Sequence, residues 1–229
     1  MYLFDIDGTL LRTGGAGSRG INRVFEREYG VKGAMDKVNP SGQTDPNILT
    51  ECFEHGLGRK PSDGEIQKVI DLYLPELQKE LERDEKFQVL PHVHETLEWL
   101  GQFELSLGIA TGNVSHAADL KLKRAGLDGV FGFGGYGDDS RHRGELVQKA
   151  IDRGLEQKAN VPLKHVVVVG DTPRDITAAR ECGVKVLAVA TGRYSKTELE
   201  AFAPDACFAT LKELPGWHQN EFVKSSNLE

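Results

Sequence analysis

The stretch MYLFDIDGTLL, residues 1–11, decides the fold. An apolar run over 2–6 ends in Asp5 and Asp7, one residue apart, with Gly8 and Thr9 behind them. A short run without polar alternation is the mark of a strand covered on both faces, as in a parallel sheet. Carboxylates at the end of such a strand are costly. Two unit charges ~4 Å apart at an effective dielectric near 20 repel by about 4 kcal/mol. The pair therefore calls for a bound cation or a shared proton.

Runs at 105–110, 166–169 and 186–190 read the same way; 131–133 is a weaker strand and Ala206–Phe208 a short edge strand. Helical patterns lie between them. Val147, Ala150, Ile151 and Leu155 follow Gly144 at helical spacing, and 114–125 carries Ala117, Ala118, Leu120, Leu122 and Ala125 before a capping Gly126. Pro173 opens a helix to about Glu181. The alternation predicts an α/β fold, an open Rossmann-like parallel sheet with right-handed crossovers. Residues 14–88 break it. Ile21, Val24, Phe25 and Tyr29 mark one amphipathic helix, 45–56 a second, and 62–82 one long or two shorter helices with Pro75 a kink or break. The expectation is an α-helical domain at 14–88 inserted after the first strand of a core formed by 1–13 and 89–229.

In an open α/β sheet the ligand crevice lies beyond the carboxyl ends of the strands. Thr111-Gly112-Asn113 closes one strand, and Gly170-Asp171-Thr172-Pro173-Arg174-Asp175 closes another. If these strands are neighbours, Asp5 and Asp7 join them so that four carboxylates, a hydroxyl and an amide converge on one edge. Oxygen-only ligands select a hard ion, and Mg²⁺ fits best because it uses few carboxylates and keeps positions for water and phosphate. Asp171 or Asp175 alone reads as a helix cap; three such groups in strand order favour a site.

Asp-Ile-Asp-Gly-Thr after the first strand, Thr111 after a later one and Gly-Asp-x-x-x-Asp after a third resemble the haloacid dehalogenase superfamily of aspartate-dependent hydrolases. The likeness spans nearly the whole chain and is greatest to phosphatases of the phosphoglycolate phosphatase type. It implies that the inserted helices are a cap domain, with Asp5 the nucleophile that forms an aspartyl-phosphate. Asp7 would protonate the leaving alcohol and then deprotonate the attacking water. Mg²⁺ would sit between Asp5, the backbone carbonyl of Asp7 and Asp171, with Asp175 supporting the metal shell. Thr111 would bind a phosphoryl oxygen, helped by the N–H groups of Gly112 and Asn113. The superfamily also ties nucleophile to phosphate with a cation, usually a lysine. In DDSRHRGELVQKAI, 138–151, no lysine holds the usual place, so the role falls to Arg143, with Arg141 and Lys149 as alternatives.

Ser41-Gly42-Gln43-Thr44-Asp45-Pro46 resembles the substrate-facing cap loop, which makes Gln43 and Thr44 substrate contacts; Thr44 and Asp45 also read as a helix start. Arg19 is a further cap cation for a substrate carboxylate. Gly15, Gly17 and Gly20 satisfy G-x-G-x-x-G, yet eight residues separate Ile6 from Gly15, so a dinucleotide turn is rejected in favour of a hinge. Gly132–Gly137 fits the same pattern without leading into a helix. His92 and His94 read as surface residues, Trp99 and Phe103 as core.

Composition narrows the setting. The 229 residues are 39% hydrophobic and 28% charged, with net charge −7 and no basic cluster, which argues against nucleic acid and anionic membranes as partners. Asp5 and Asp7 stand where the apolar core of a signal peptide would be. Cys52, Cys182 and Cys207 form no disulfide or zinc pattern, so a reducing cytoplasm is expected. The final Leu228-Glu229 reads as a vector remnant. The leading function is Mg²⁺-dependent hydrolysis of a small phosphorylated metabolite. A phosphosugar mutase and a non-catalytic phospholigand-binding protein are the alternatives; phosphonate hydrolysis would need a cap lysine such as Lys32 or Lys37.

Overall fold

The computed structural model describes residues 1–224, so Leu228-Glu229 lies outside the described residues. In chain order the elements are β1 (Tyr2–Phe4), β2 (Leu11–Arg12), α1 (Ala16–Tyr29), α2 (Asp45–Leu57), α3 (Asp63–Arg83), β3 (Gln88–Val89), α4 (Val93–Gly101) and β4 (Leu107–Ala110). They continue with α5 (Ser115–Arg124), β5 (Phe133–Gly135), α6 (Arg143–Gln157), β6 (Val167–Gly170), α7 (Pro173–Glu181), β7 (Lys185–Val189), α8 (Lys196–Glu200), β8 (Ala206–Phe208) and α9 (Leu214–His218).

Six strands form one parallel sheet in the order β5-β4-β1-β6-β7-β8. Tyr2 and Phe4 face one layer with Ile109, Val167, Val169 and Leu187, covered by Leu97 and Leu100 of α4, Leu122 of α5 and Leu214 of α9. Leu3 faces the other with Val168, Val186 and Ala188, covered by Leu146, Val147 and Ile151 of α6 and Ile176 of α7. Burial on both faces is why the strands carry unbroken apolar runs. The register sets Phe4 against Ile109 on one side and Val169 on the other. The residues that follow β1, β4 and β6 therefore emerge side by side at one edge.

The fifth strand lies two residues later than 131–133. Gly135 can pair there because a Cβ would run into the Leu146 carbonyl of α6, so only glycine lets helix and strand approach this closely. A two-residue antiparallel pair, Leu11 opposite Val89 and Arg12 opposite Gln88, escapes pattern reading because it is too short to show a period.

Between β2 and β3 lie α1, α2 and α3, with their own apolar cluster built on Phe25, Phe53, Val69, Tyr73 and Leu77. Val114 and Ala117 from the α5 end join this cluster and tie it to the sheet. The helix α3 starts at a reciprocal cap of Ser62 and Glu65 and runs unbroken through Pro75. Packing of Tyr73, Leu77 and Leu81 offsets the hydrogen bond that the proline ring removes. The glycines of 14–20 divide into two jobs. Gly14 and Gly15 take left-handed turns, while Gly17 and Gly20 lie inside α1 and let Tyr73 of α3 pack against its backbone. Phe103 departs from the core expectation: it is 40% exposed, its ring tilted against half-buried Trp99 at 4.7 Å between centroids. Among the described residues no helix is long and apolar enough to cross a membrane.

Candidate active site

Asp5 leaves β1 almost fully buried, 4% exposed, its N–H donating to the Val169 carbonyl at 2.9 Å. Arg143, the first residue of α6, is 8% exposed and reaches down to it, with Nη2 3.0 Å from Asp5 Oδ2. The same guanidinium grips Asp175 Oδ1, from Nη2 at 2.6 Å and Nε at 2.9 Å, and donates to the Gly42 carbonyl at 3.2 Å. Asp175 is held in turn by the start of α7, where its Oδ2 accepts from the Thr172 N–H and hydroxyl. Burial opposes the charge of Arg143, but Asp175 and Asp5 outweigh it and hold the guanidinium ionised.

Asp171 follows β6 and accepts from the Thr9 hydroxyl at 3.2 Å. Oxygens of Asp5, Asp171 and Asp175 lie within 4.8 Å of one another, all three buried. Desolvation, only partly answered by Arg143, pushes Asp5 up to about 6, and burial with the neighbouring Asp175 and Asp5 raises Asp171 well above the usual carboxylate range. One arginine is too little positive charge for this cluster. Gly8, at φ +85°, and Gly192 each lack a Cβ where one would overlap the Asp171 carboxylate, so backbone closes around the acids. The donors are all oxygen, which fits a hard divalent cation. Asp175 belongs to this cluster and is also the direct partner of Arg143, its other oxygen accepting from Thr172.

Asp7 stands at the other side of Asp5, its side chain 42% exposed. Its Oδ2 accepts from Asn113 Nδ2 at 2.8 Å and from Lys121 Nζ at 2.6 Å. Asn113 Nδ2 also donates to Thr111 Oγ1 at 2.8 Å. The loop after β4 is thus bonded to the loop after β1. Lys121 has no place in the sequence-level site, although a signal exists. It sits at helical spacing among Ala117, Ala118, Leu122 and Ala125, a lysine on the buried face of α5.

The helical layer closes over this floor. The Asp45 N–H donates to the Gly112 carbonyl and its Oδ2 accepts from the Val114 N–H, both at 2.8 Å. Desolvation pushes buried Asp45 up to about 6 against the pull of Lys121 and that N–H. A Cβ on Gly112 would overlap the Gln43 carbonyl. The cavity between the two layers, about 520 Å³, is lined by Asp5, Asp7, Thr111, Gly112, Asn113, Lys121, Arg143 and Asp171 below and by Ile21, Met35, Gln43, Ile48 and Tyr73 above.

Four expected residues stand elsewhere. Arg19 is turned away from the cavity, held by Glu80 at 2.5 Å, by Asp84 and by the Gly14 carbonyl, because acids at the end of α3 capture it. Thr44 is buried outside the cavity, and its hydroxyl makes no hydrogen bond, not even to cap α2. Arg141 is bonded to Thr50 and Asp63 on the helical layer, and Lys149 does not line the cavity.

A parallel sheet with paired aspartates after its first strand and further oxygen donors after its neighbours defines a hydrolase of the haloacid dehalogenase-like type. The family model for haloacid dehalogenase-like hydrolases matches residues 2–189, and the chain belongs to that family. Among curated relatives, it is 26% identical over 215 residues to pyrophosphatase PpaX of Oceanobacillus iheyensis, covering 93% of each chain. Among solved structures it is similar in fold to CbbY from Rhodobacter sphaeroides in complex with phosphate (TM-score 0.74, 18% identity, 93% and 95% of the chains covered). A predicted phosphoglycolate phosphatase from Haemophilus somnus gives a TM-score of 0.72 at 19% identity, over 96% and 97%.

Proposed function

We propose that the protein is a Mg²⁺-dependent phosphatase that hydrolyses a small phosphate monoester through an aspartyl-phosphate on Asp5. The observation that carries this reading is the Asp5–Arg143 pair, 3.0 Å apart, in the cavity that Asp7 and Asp171 also line. The phosphatase, pyrophosphatase and phosphate-complex names of the similar proteins support it.

Asp5, Asp171 and the backbone carbonyl of Asp7 would hold the cation, and Asp175 would act through Arg143. The ion, when bound, supplies charge that offsets repulsion between the nucleophile and a phosphate dianion. Arg143 and Thr111 bind phosphoryl oxygens, helped by the N–H groups of Gly112 and Asn113. Asp5 attacks phosphorus and the P–O bond to the leaving group breaks as Asp7 gives its proton to that oxygen. A water then attacks phosphorus, Asp7 takes the water's proton, and the bond to Asp5 breaks to release phosphate.

Residues 14–88 act as the cap that excludes bulk water and contacts the leaving group. Its lining is mixed: Ile21, Met35 and Ile48 are apolar, while Ser18, Gln43 and Tyr73 offer hydrogen bonds. Such a surface supports a hydroxylated leaving group, and a sugar phosphate is the substrate we test ahead of phosphoglycolate. The three free cysteines support a cytoplasmic setting. The test is kcat/KM across a panel of sugar phosphates, nucleotides, phosphoglycolate and pyrophosphate, with product analysis for an isomerised sugar phosphate. Sugar phosphates should lead and release inorganic phosphate. No turnover of any phosphate compound contradicts the reading, and an isomerised product moves it to a mutase.

A further inference from the structure

We propose that Lys121 is a positioning residue that fixes Asp7 so that Oδ1 is the oxygen that carries the proton, an inference that rests on the acid–base role proposed for Asp7. A lysine only 5% exposed, on a helix face shared with Ala117, Ala118 and Leu122, is costly unless its charge is answered. It is answered twice, by Asp7 Oδ2 at 2.6 Å and by Asn113 Oδ1 at 2.5 Å.

The three side chains form a closed ring. Asn113 accepts from the ammonium with its Oδ1 and so must present Nδ2 to Asp7 Oδ2, at 2.8 Å, and to Thr111 Oγ1. The acceptor-only carboxylate and the donor-only ammonium demand the same orientation of the amide, so the ring has one hydrogen-bond pattern. Lys121 therefore ties Asp7 and Asn113 into one rigid unit and holds Asp7 by Oδ2.

The ring makes the two oxygens of Asp7 unequal. Oδ2 already takes two donors, one of them charged, and a proton placed there would have to displace a bond. Oδ1 accepts no hydrogen bond from the described residues. The proton leaves Oδ1 for the departing oxygen as the P–O bond breaks. It returns to Oδ1 from the water that attacks the phosphoryl group. Lys121 gives up no proton in either step. Its effect on rate passes through Asp7 alone.

The test is a double-mutant cycle on the full chain, with Lys121→Met, Asp7→Asn and both together. The readout is first-turnover release of p-nitrophenol or phenol from the corresponding aryl phosphates. Lys121→Met should slow phenol release by about 10²-fold, the usual worth of a placed general acid, with KM within about two-fold. It should slow p-nitrophenol release about ten-fold less, because that phenolate departs without a proton. In the Asp7→Asn background, Lys121→Met should cost nothing further. Lys121→Gln, polar and nearer in shape, replaces Met if thermal melting shows that Met unfolds the protein. Equal losses in both backgrounds, or a KM rise at unchanged kcat, would overturn the proposal and make Lys121 a packing or phosphate-binding residue. A folded wild type that turns over no phosphate ester removes the phosphatase reading, and the inference with it.

Discussion

Arg143 Nη2 lies 3.0 Å from Asp5 Oδ2 and 2.6 Å from Asp175 Oδ1, so a single buried guanidinium joins the proposed nucleophile to an acid after β6. Asp175 locks the rotamer, and the Gly42 carbonyl in the loop before α2 takes a further N–H. The arginine can therefore meet a phosphoryl group without first finding its place.

Removing that guanidinium should be felt in rate and in stability. Arg143→Ala should lower kcat/KM by about 10²–10³-fold, the cost of losing a preorganised charged donor. It should also destabilise the fold by about 3 kcal/mol, because Asp5 and Asp175 lose their buried partner. Lys149→Ala should change neither, since Lys149 lies off the cavity. Steady-state kinetics and urea unfolding of the two variants decide it; a larger rate loss from Lys149→Ala would move the role.

Metal removal gives a second check. Chelation should abolish turnover and Mg²⁺ should restore it. Mg²⁺ should also raise Tm in the absence of substrate, because binding relieves repulsion among Asp5, Asp171 and Asp175 and stabilises the folded state by mass action. Turnover in excess chelator, with no Tm response to Mg²⁺, would contradict the assignment.

Asp45 makes a pH-dependent contribution. Its carboxyl sits at about 6 in the folded chain against 3.8 as the ordinary value, so between these limits the folded state binds the extra proton. Stability then falls as pH rises through this window and levels off above it. A shift of about two units corresponds to about 3 kcal/mol. Asp45→Asn, which keeps an acceptor for the Val114 N–H, should therefore stabilise the metal-free protein by up to about 3 kcal/mol at pH about 7.5. It should give little at pH about 4. Unfolding free energies at the two pH values measure this; an equal effect at both would rule out the buried carboxyl as its source.

Gly112 is placed where helical layer and sheet meet. A Cβ there would overlap the Gln43 carbonyl, so Gly112→Ala should displace the loop around Gln43 and Asp45 and cost about 1–3 kcal/mol. KM for the best substrate should rise with it, and thermal unfolding with kinetics reads both. An unchanged KM would mean that this contact does not hold the substrate cavity closed.

The sheet is legible in the sequence because its central strands are buried on two faces and the ends of β1, β4 and β6 carry polar residues of unusual type. Asp5, Asp7, Asp171 and Asp175 announce themselves by position. Arg143 follows from its place at the head of α6. Lys121 does not, because its partners come from the ends of β1 and β4 and its meaning appears only when α5 docks against both. Arg19 misleads for the converse reason: a cation near a glycine turn looks free until Glu80 and Asp84 arrive from the far end of α3. The resemblance assigns Asp175 to the metal shell, and its bonds to Arg143 and Thr172 are legible only once α6 and α7 meet. Pro75 shows tertiary packing overriding a local breaker.

The central claim is that Asp5 is the nucleophile, and quenched-reaction mass spectrometry of the peptide that contains it tests this most directly. The wild type, stopped during turnover of p-nitrophenyl phosphate with Mg²⁺, should carry a phosphoryl group on Asp5. Asp5→Asn should carry none and hydrolyse nothing while keeping its fold. A phosphoryl group found on another residue, or turnover retained by folded Asp5→Asn, would contradict the account.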